Sequence, residues 1–301
     1  MTSSETVSRP GRGMYTPLRY PGGKRRLAPY IANLIAAQDR PATTYAEPFA
    51  GGAGAALKLL VDERVDRICI NDLHTGIASF WKSVFGQTDR FSSAIESCVV
   101  TVDEWHRQRA IYLDPQDHDE FTVGFATFFL NRTNRSGILN ARPIGGLNQN
   151  GNWKIDARFN KPELAGRVRF LGGYRHRVTV TQMDARAFLE SLEPESDSTF
   201  VYVDPPYVVQ GDDLYLDRLT LDDHQELADQ LKASTLTWFM TYDANDVIAN
   251  DLYEGVRCAT FNISHTAQHQ HIGSEYALFS EDMVVPGLDI LPNDLSRWVT
   301  V

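Results

Sequence analysis

The chain has 301 residues, 43% of them hydrophobic, and a formal net charge of −10 at pH 7. That is enough apolar material for one large domain with an insertion or for two modest domains. No stretch approaches the roughly 20 consecutive apolar residues of a membrane span, and the polar, Arg-containing residues 1–13 lack the apolar segment of a signal peptide. A cytoplasmic location is therefore expected. Cys69, Cys98 and Cys258 lie far apart without a Cys-x-x-Cys spacing, which excludes a disulfide framework or zinc ribbon and suggests inert thiols.

In chain order, apolar β-type runs alternate with helix-like stretches, the pattern of an α/β fold on a mostly parallel sheet. Residues 43–49 read as a strand running into Gly51-Gly52-Ala53-Gly54 and an Ala/Leu-rich helix through Leu60. Residues 67–71 predict a second strand ending at Asp72. After a helical stretch, residues 178–181 predict a third strand and 185–192 a short helix. Residues 200–203 are a fully apolar fourth strand that stops at Asp204-Pro205-Pro206-Tyr207. An amphipathic helix over 221–232, a strand over 235–242 and an antiparallel closing pair, 258–263 with 276–279, complete the pattern.

The rhythm breaks once, over residues 102–177, where a helical segment at 121–131 leads into Gly-, Asn- and Arg-rich sequence. These residues read as an inserted domain, with a catalytic domain formed by 1–101 and 178–301. The Asn150-Gly151 dipeptide predicts a β-hairpin over 143–155. Residues 1–12 and the last dozen, after Pro286, are expected to be loosely packed.

A net negative charge is unfavourable for a phosphate-binding protein, so its distribution matters. Between residues 131 and 178 ten Lys and Arg residues face only Asp156 and Glu163. The first thirty residues add six basic side chains against Glu5. A basic middle thus sits in an acidic body, which fits nucleic acid as a partner or a solvated Arg-rich surface.

The strongest chemical signal is the tetrapeptide at 204–207 directly after an apolar strand. Ligands of open α/β sheets bind beyond the carboxyl ends of strands. Two prolines stiffen the backbone and leave carbonyls without competing N–H donors, so the Asp204 carboxylate and the Pro205 carbonyl can both accept from one amino group. The Tyr207 ring can stack on the base that carries the amine. A second signal is Glu47-Pro48-Phe49-Ala50-Gly51, a strand-to-helix turn that lets a cofactor approach the backbone. It lacks Gly-x-Gly-x-x-Gly, which disfavours a nicotinamide dinucleotide. Asp72, at the end of the next strand, suits the two hydroxyls of a ribose.

With these motifs in this order, the sequence resembles the Dam-like, alpha-class N6-adenine DNA methyltransferases from Pro17 to about Phe279. The resemblance rests on PLRYPGGK at 17–24, EPFAGGAG at 47–54, Asn71-Asp72, FLNRTNRSG at 129–137 and DPPY at 204–207. It implies a Rossmann-like S-adenosylmethionine-dependent sheet with an inserted, mainly helical target-recognition domain, and methyl transfer to N6 of a flipped-out adenine in double-stranded DNA. It implies Asp204, Pro205, Pro206 and Tyr207 as catalytic residues. Tyr20, Gly22, Gly23 and Lys24 match the motif over the methionine end of the cofactor; Glu47, Phe49 and Gly51 match the glycine turn, and Asp72 the ribose ligand. Asp184 matches the acid near the cofactor adenine, although a helix N-cap would read identically. Arg132, Asn134, Arg135, Asn140, Arg142, Gln149, Asn152, Lys154 and Arg158 are the candidates for base edges and phosphates. The segment after Ser136 departs from members that read GATC. The reaction needs positioning and electrostatics and no metal. His265, His269 and His271 fall in a loop expected between the last two strands and do not suggest a metal site. Methylation of cytosine N4 or of RNA, and a catalytically silent DNA-binding module, are the competing readings, and a companion restriction or defence protein is a conceivable partner.

Overall fold

The computed structural model describes residues 15–20, 24–206, 219–245, 247–265, 271–292 and 295–299. The chain divides into two compact units, one formed by 1–21 and 74–180, the other by 22–73 and 181–301. None of the described helices is long and apolar enough to cross a membrane.

The unit that begins at residue 22 is α/β. A 3-10 turn, Lys24–Leu27, leads into α1 (Ala28–Ala37), followed by β1 (Thr44–Glu47), α2 (Gly54–Val61) and β2 (Arg67–Asn71). After the excursion through the other unit, which ends within β3 (Val178–Thr181), the chain forms α8 (Ala185–Leu192), β4 (Thr199–Val203), α9 (Leu221–Ala233), β5 (Thr237–Asp243), a π turn at Ile248–Leu252, β6 (Arg257–His265), β7 (His271–Phe279) and β8 (Arg297–Trp298). The intervening helices are α3 (Thr75–Gly86), α4 (Thr88–Ser97), α5 (Val102–Leu113), α6 (Glu120–Thr133) and α7 (Lys161–Gly172).

Seven strands of the α/β unit run in the order β2-β1-β4-β5-β7-β6-β8. β1 is parallel to both β2 and β4, and β4 to β5, whereas β7, β6 and β8 are antiparallel additions. Every residue of β1 and β4 is buried. Parallel strands covered on both faces need such continuous burial, which explains the absence of an alternating pattern in Phe200-Val-Tyr-Val203. The chain leaves β1 to one side for β2 and to the other for β4. That reversal opens a crevice beyond the carboxyl ends of β1 and β4.

The other unit is helical. Its core is a cluster of aromatic rings, with Phe80, Phe91 and Phe128 at its centre and Phe121, Phe125 and Phe159 around them. It contains the 102–177 segment together with α3 and α4. The expected hairpin is not present: residues 143–155 form successive turns, with one isolated bridge between Asn134 and Pro143. The Asn-Gly signal was outweighed because the flanking sequence has no alternating apolar face to bury. The Gln149 amide organises the turns instead, donating to the Ile144 and Gly146 carbonyls and accepting from the Ile155 N–H.

Two other expectations are corrected. The histidine loop is shorter than predicted, since β6 and β7 extend to the register pair His265 and His271; His269 lies outside the described residues. The C-terminal segment is not all loose, because β8 adds to the sheet beside β6 and the Val299 N–H donates to the Cys258 carbonyl. Residues 1–12 lie outside the described residues.

Candidate active site

β1 delivers Glu47 and the glycine turn to the crevice. Gly51 adopts φ +46°, in the left-handed region that glycine tolerates without strain. The Gly51 N–H donates to Asp72 Oδ2 at 2.8 Å, and the Ala50 N–H to the Asn71 carbonyl at 2.8 Å, which fastens the turn to the end of β2. Phe49 packs against the core of the unit. Asn71, 1% exposed, braces three strand ends. Its amide donates to the Pro48 and Met183 carbonyls at 3.0 Å each, while its oxygen accepts from the Met183 N–H at 2.9 Å and the Thr181 hydroxyl at 2.8 Å.

Glu47 is buried, and its Oε1 accepts from the Tyr45 hydroxyl at 2.9 Å and the Ala56 N–H at 3.0 Å. Burial pushes its carboxyl up to about 8, with those two donors pulling the other way. Unfolded, Glu47 ionises near the ordinary 4.5. The stability contributed by the neutral form is therefore complete below that range and is lost as pH rises through about 8. Cofactor-free protein should accordingly melt at progressively lower temperature from about pH 5 to about pH 8, and Glu47→Gln should flatten that slope in a pH series of thermal melts.

Asp204 ends β4 on the other side of the crevice. Its Oδ1 accepts from the Thr241 hydroxyl at 3.2 Å and pairs with the Lys24 ammonium at 3.3 Å. Because the Thr241 hydroxyl has one proton, the 2.6 Å contact between it and Tyr202 is a bond donated by the tyrosine. A chain of hydroxyls from Tyr202 through Thr241 thus ends on Asp204. Burial raises the Asp204 carboxyl to about 6 despite the opposing pull of Lys24. Lys24 also donates to both oxygens of Glu275, at 3.0 and 3.1 Å, and both side chains are buried.

Residues 20–271 match the D12 class N6 adenine-specific DNA methyltransferase family. The chain belongs to that family. It transfers a methyl group from S-adenosylmethionine to N6 of adenine in DNA. Among solved structures, the chain is similar to the rRNA methyltransferase aviRa from Streptomyces viridochromogenes, with 11% identity, a TM-score of 0.38, and 93% of this chain and 92% of that chain covered. No curated protein matches.

The donor set of the methyltransferase fits its cofactor. S-adenosylmethionine offers an ammonium, two ribose hydroxyls and an adenine amine, all hydrogen-bond donors, and the acidic side chains suited to accept from them are Glu47 at the end of β1, Asp72 after β2 and Asp184 at the start of α8. Asp184 caps α8: its Oδ1 accepts from the Arg186 N–H at 2.9 Å and the Arg186 Nε at 3.0 Å, and the Arg186 bond holds the carboxyl below its usual range. The N-cap alternative is therefore realised, on a carboxylate that is 42% exposed. Lys24 lies in this unit, where its ammonium meets Asp204 and Glu275. Tyr20 is 40% exposed in the helical unit. Gly22, Gly23 and Tyr207 lie outside the described residues.

Of the DNA candidates, Asn134 is corrected. Asn134 is fully buried, accepting from Trp105 Nε1 at 2.6 Å and donating to the Ile138 and Leu139 carbonyls. Arg132 donates to the Arg158 and Pro17 carbonyls, and burial lowers its guanidinium to about 9. Asn134 was proposed for base reading because Asn is a residue type that does it, but here its amide holds the chain together; Arg132 is half-buried and remains a candidate. The same motif secures residue 19: Asn131 exchanges hydrogen bonds with the Arg19 backbone at 2.7 and 2.8 Å, and a Cβ at Gly137 would stand 2.3 Å from the Arg19 carbonyl. Gln149 and the exposed Lys154 satisfy turn carbonyls. Arg135, Arg142, Asn152 and Arg158 are exposed, and Asn140 is half-buried. Sequence reasoning missed Asn71 as a brace and Glu275 altogether.

Proposed function

We propose that Asp204 and the Pro205 carbonyl hold the two hydrogens of the adenine amine, with Tyr207 stacked on the base. The observation that carries this reading is the half-buried Asp204 carboxylate, set at the strand-order reversal with one oxygen already engaged by Thr241 and Lys24. The adenine amine is a weak nucleophile because its lone pair is delocalised into the ring. Two acceptors on its hydrogens favour a more tetrahedral nitrogen with a more available lone pair. Asp204 must be ionised to accept in this way, and the buried acceptors hold the amine in line without reorganisation. S-adenosylmethionine, when bound, supplies the methyl group on its sulfonium. Gly51, Glu47, Asp72 and Asp184 would hold it, and Phe49 would line its site. An acceptor at the floor of a crevice cannot reach an amine inside a duplex, so the adenine must be flipped out.

The 102–177 segment serves in this reading as the target-recognition domain. The exposed Arg135, Arg142 and Arg158 support it, together with Trp153, 71% exposed among the turns. Arg142→Ala should reduce the slope of log affinity against log salt by about one in a DNA-binding titration. Acting on DNA, the enzyme would work in the cytoplasm at the nucleoid, and a companion restriction or defence protein would give the methyl mark its purpose. Incubation with methyl-labelled S-adenosylmethionine and unmethylated duplex DNA should yield labelled N6-methyladenine on hydrolysis. Label in N4-methylcytosine, or DNA binding without transfer at saturating cofactor, would overturn the reading.

A further inference from the structure

We propose that Glu275 is a positioning residue for methyl transfer, gripping the Lys24 ammonium so that it engages only one oxygen of Asp204 and leaves that carboxylate a strong acceptor. The proposal rests on the reading of Asp204 as the amine acceptor. Glu275 lies on β7, 251 residues from Lys24 in sequence and in register with Asp243 at the end of β5. It is 1% exposed and Lys24 is 5% exposed. Burying two such groups is costly unless their geometry is closely met. Here the ammonium sits nearer both Glu275 oxygens, at 3.0 and 3.1 Å, than Asp204 Oδ1, at 3.3 Å.

The arithmetic of charge explains why a second carboxylate is useful. Lys24 paired with Asp204 alone would neutralise the acceptor and compete with the amine for it. Shared with Glu275, one cation serves two carboxylates, and Asp204 is less fully neutralised. As the amine nitrogen bonds to carbon it gains positive charge, which a fixed negative group in a water-poor crevice stabilises. Lys24 and Thr241 both address Oδ1, so the carboxylate is turned with Oδ2 toward the opposite side. Among the described residues, the other groups that interact with Asp204 or Lys24 are acids or phenols: Tyr202 on the strand of Asp204, Tyr242 and Asp243 on β5, and Tyr45 and Glu47 on β1. Burial holds each of these toward its neutral form. Lys24 and Glu275 are thus the opposed charges that set the acceptor.

The test is the pH profile of single-turnover methyl transfer, measured on the preformed protein–DNA complex with saturating labelled S-adenosylmethionine. Ionised Asp204 is the active form, so the rate falls on the acid side. Glu275→Gln removes a negative neighbour, stabilises the Asp204 anion, and should move the acid midpoint down by about one pH unit. It should also slow transfer on the plateau while cofactor affinity, read by calorimetry, stays within about threefold. Lys24→Met should move the midpoint up by a comparable amount, and Glu275→Asp should restore the wild-type midpoint. Calorimetric cofactor binding confirms that each variant is folded, and should Glu275→Gln not fold, the Lys24→Met shift reads the same charge pair. Midpoints that stay in place, or that shift in the same direction for Glu275→Gln and Lys24→Met, overturn the proposal. Asp204→Asn separates the two levels. If it is inactive while the Glu275 profile is unchanged, only Glu275 loses its role; if it is fully active, the reading of Asp204 fails as well.

Discussion

Asp204→Ala is expected to slow single-turnover methyl transfer about a hundred- to a thousandfold, the loss typical of removing one preorganised polar group at a reacting centre. S-adenosylmethionine binding should change by no more than a few-fold. The asymmetry follows from position. Asp204 ends β4, whereas the acids suited to the cofactor end β1 and β2 or cap α8, and the turn that carries them is tied to Asp72 and Asn71 without help from Asp204. The alanine variant also releases Lys24 from one of its two carboxylates, but Glu275 remains to pair it, so the fold should survive. Equal losses in binding and in transfer would mean that Asp204 supports the cofactor rather than the amine.

Asn71→Ala should have the largest effect on stability. The substitution strands the buried Pro48 carbonyl and the half-buried Met183 carbonyl and N–H, each costing about 1 kcal/mol. A combined loss of about 3 kcal/mol should lower the melting temperature by roughly 5 to 10 °C. Cofactor affinity should fall by more than tenfold, because the brace joins the glycine turn to the ends of β2 and β3. Asn71→Asp distinguishes the parts: it keeps the acceptor for Met183 N–H and Thr181 but loses both donated bonds. Thermal melts with and without S-adenosylmethionine measure both effects.

Much of this site was legible because it is local. The apolar run that becomes β4, the tetrapeptide after it, and the turn from β1 into α2 are contiguous signals, and their order along the chain pointed to the family. Glu275 was not legible, since nothing in Gly273-Ser-Glu-Tyr276 reports a partner 251 residues away. Asn71 was seen as the neighbour of Asp72, yet its role depends on Pro48 and Met183 arriving beside it. Asn134 misled for a related reason: residue type suggests base reading, and only burial reveals that its donors are already used. The hairpin over 143–155 failed because a turn dipeptide was weighed without asking what apolar face its strands would cover.

Two main-chain hydrogen bonds help to close the base of the turn-rich segment. The Ile144 N–H donates to the Thr133 carbonyl at 2.9 Å, and the Arg135 N–H to the Arg142 carbonyl at 3.1 Å. A loop whose stem is held by main-chain atoms can exchange its tip side chains without disturbing α6 or the aromatic cluster beneath it. Such an arrangement separates inheritance of the fold from invention at the tip, so that new target sequences could arise by drift in a dozen residues while the chemistry of the crevice is left untouched.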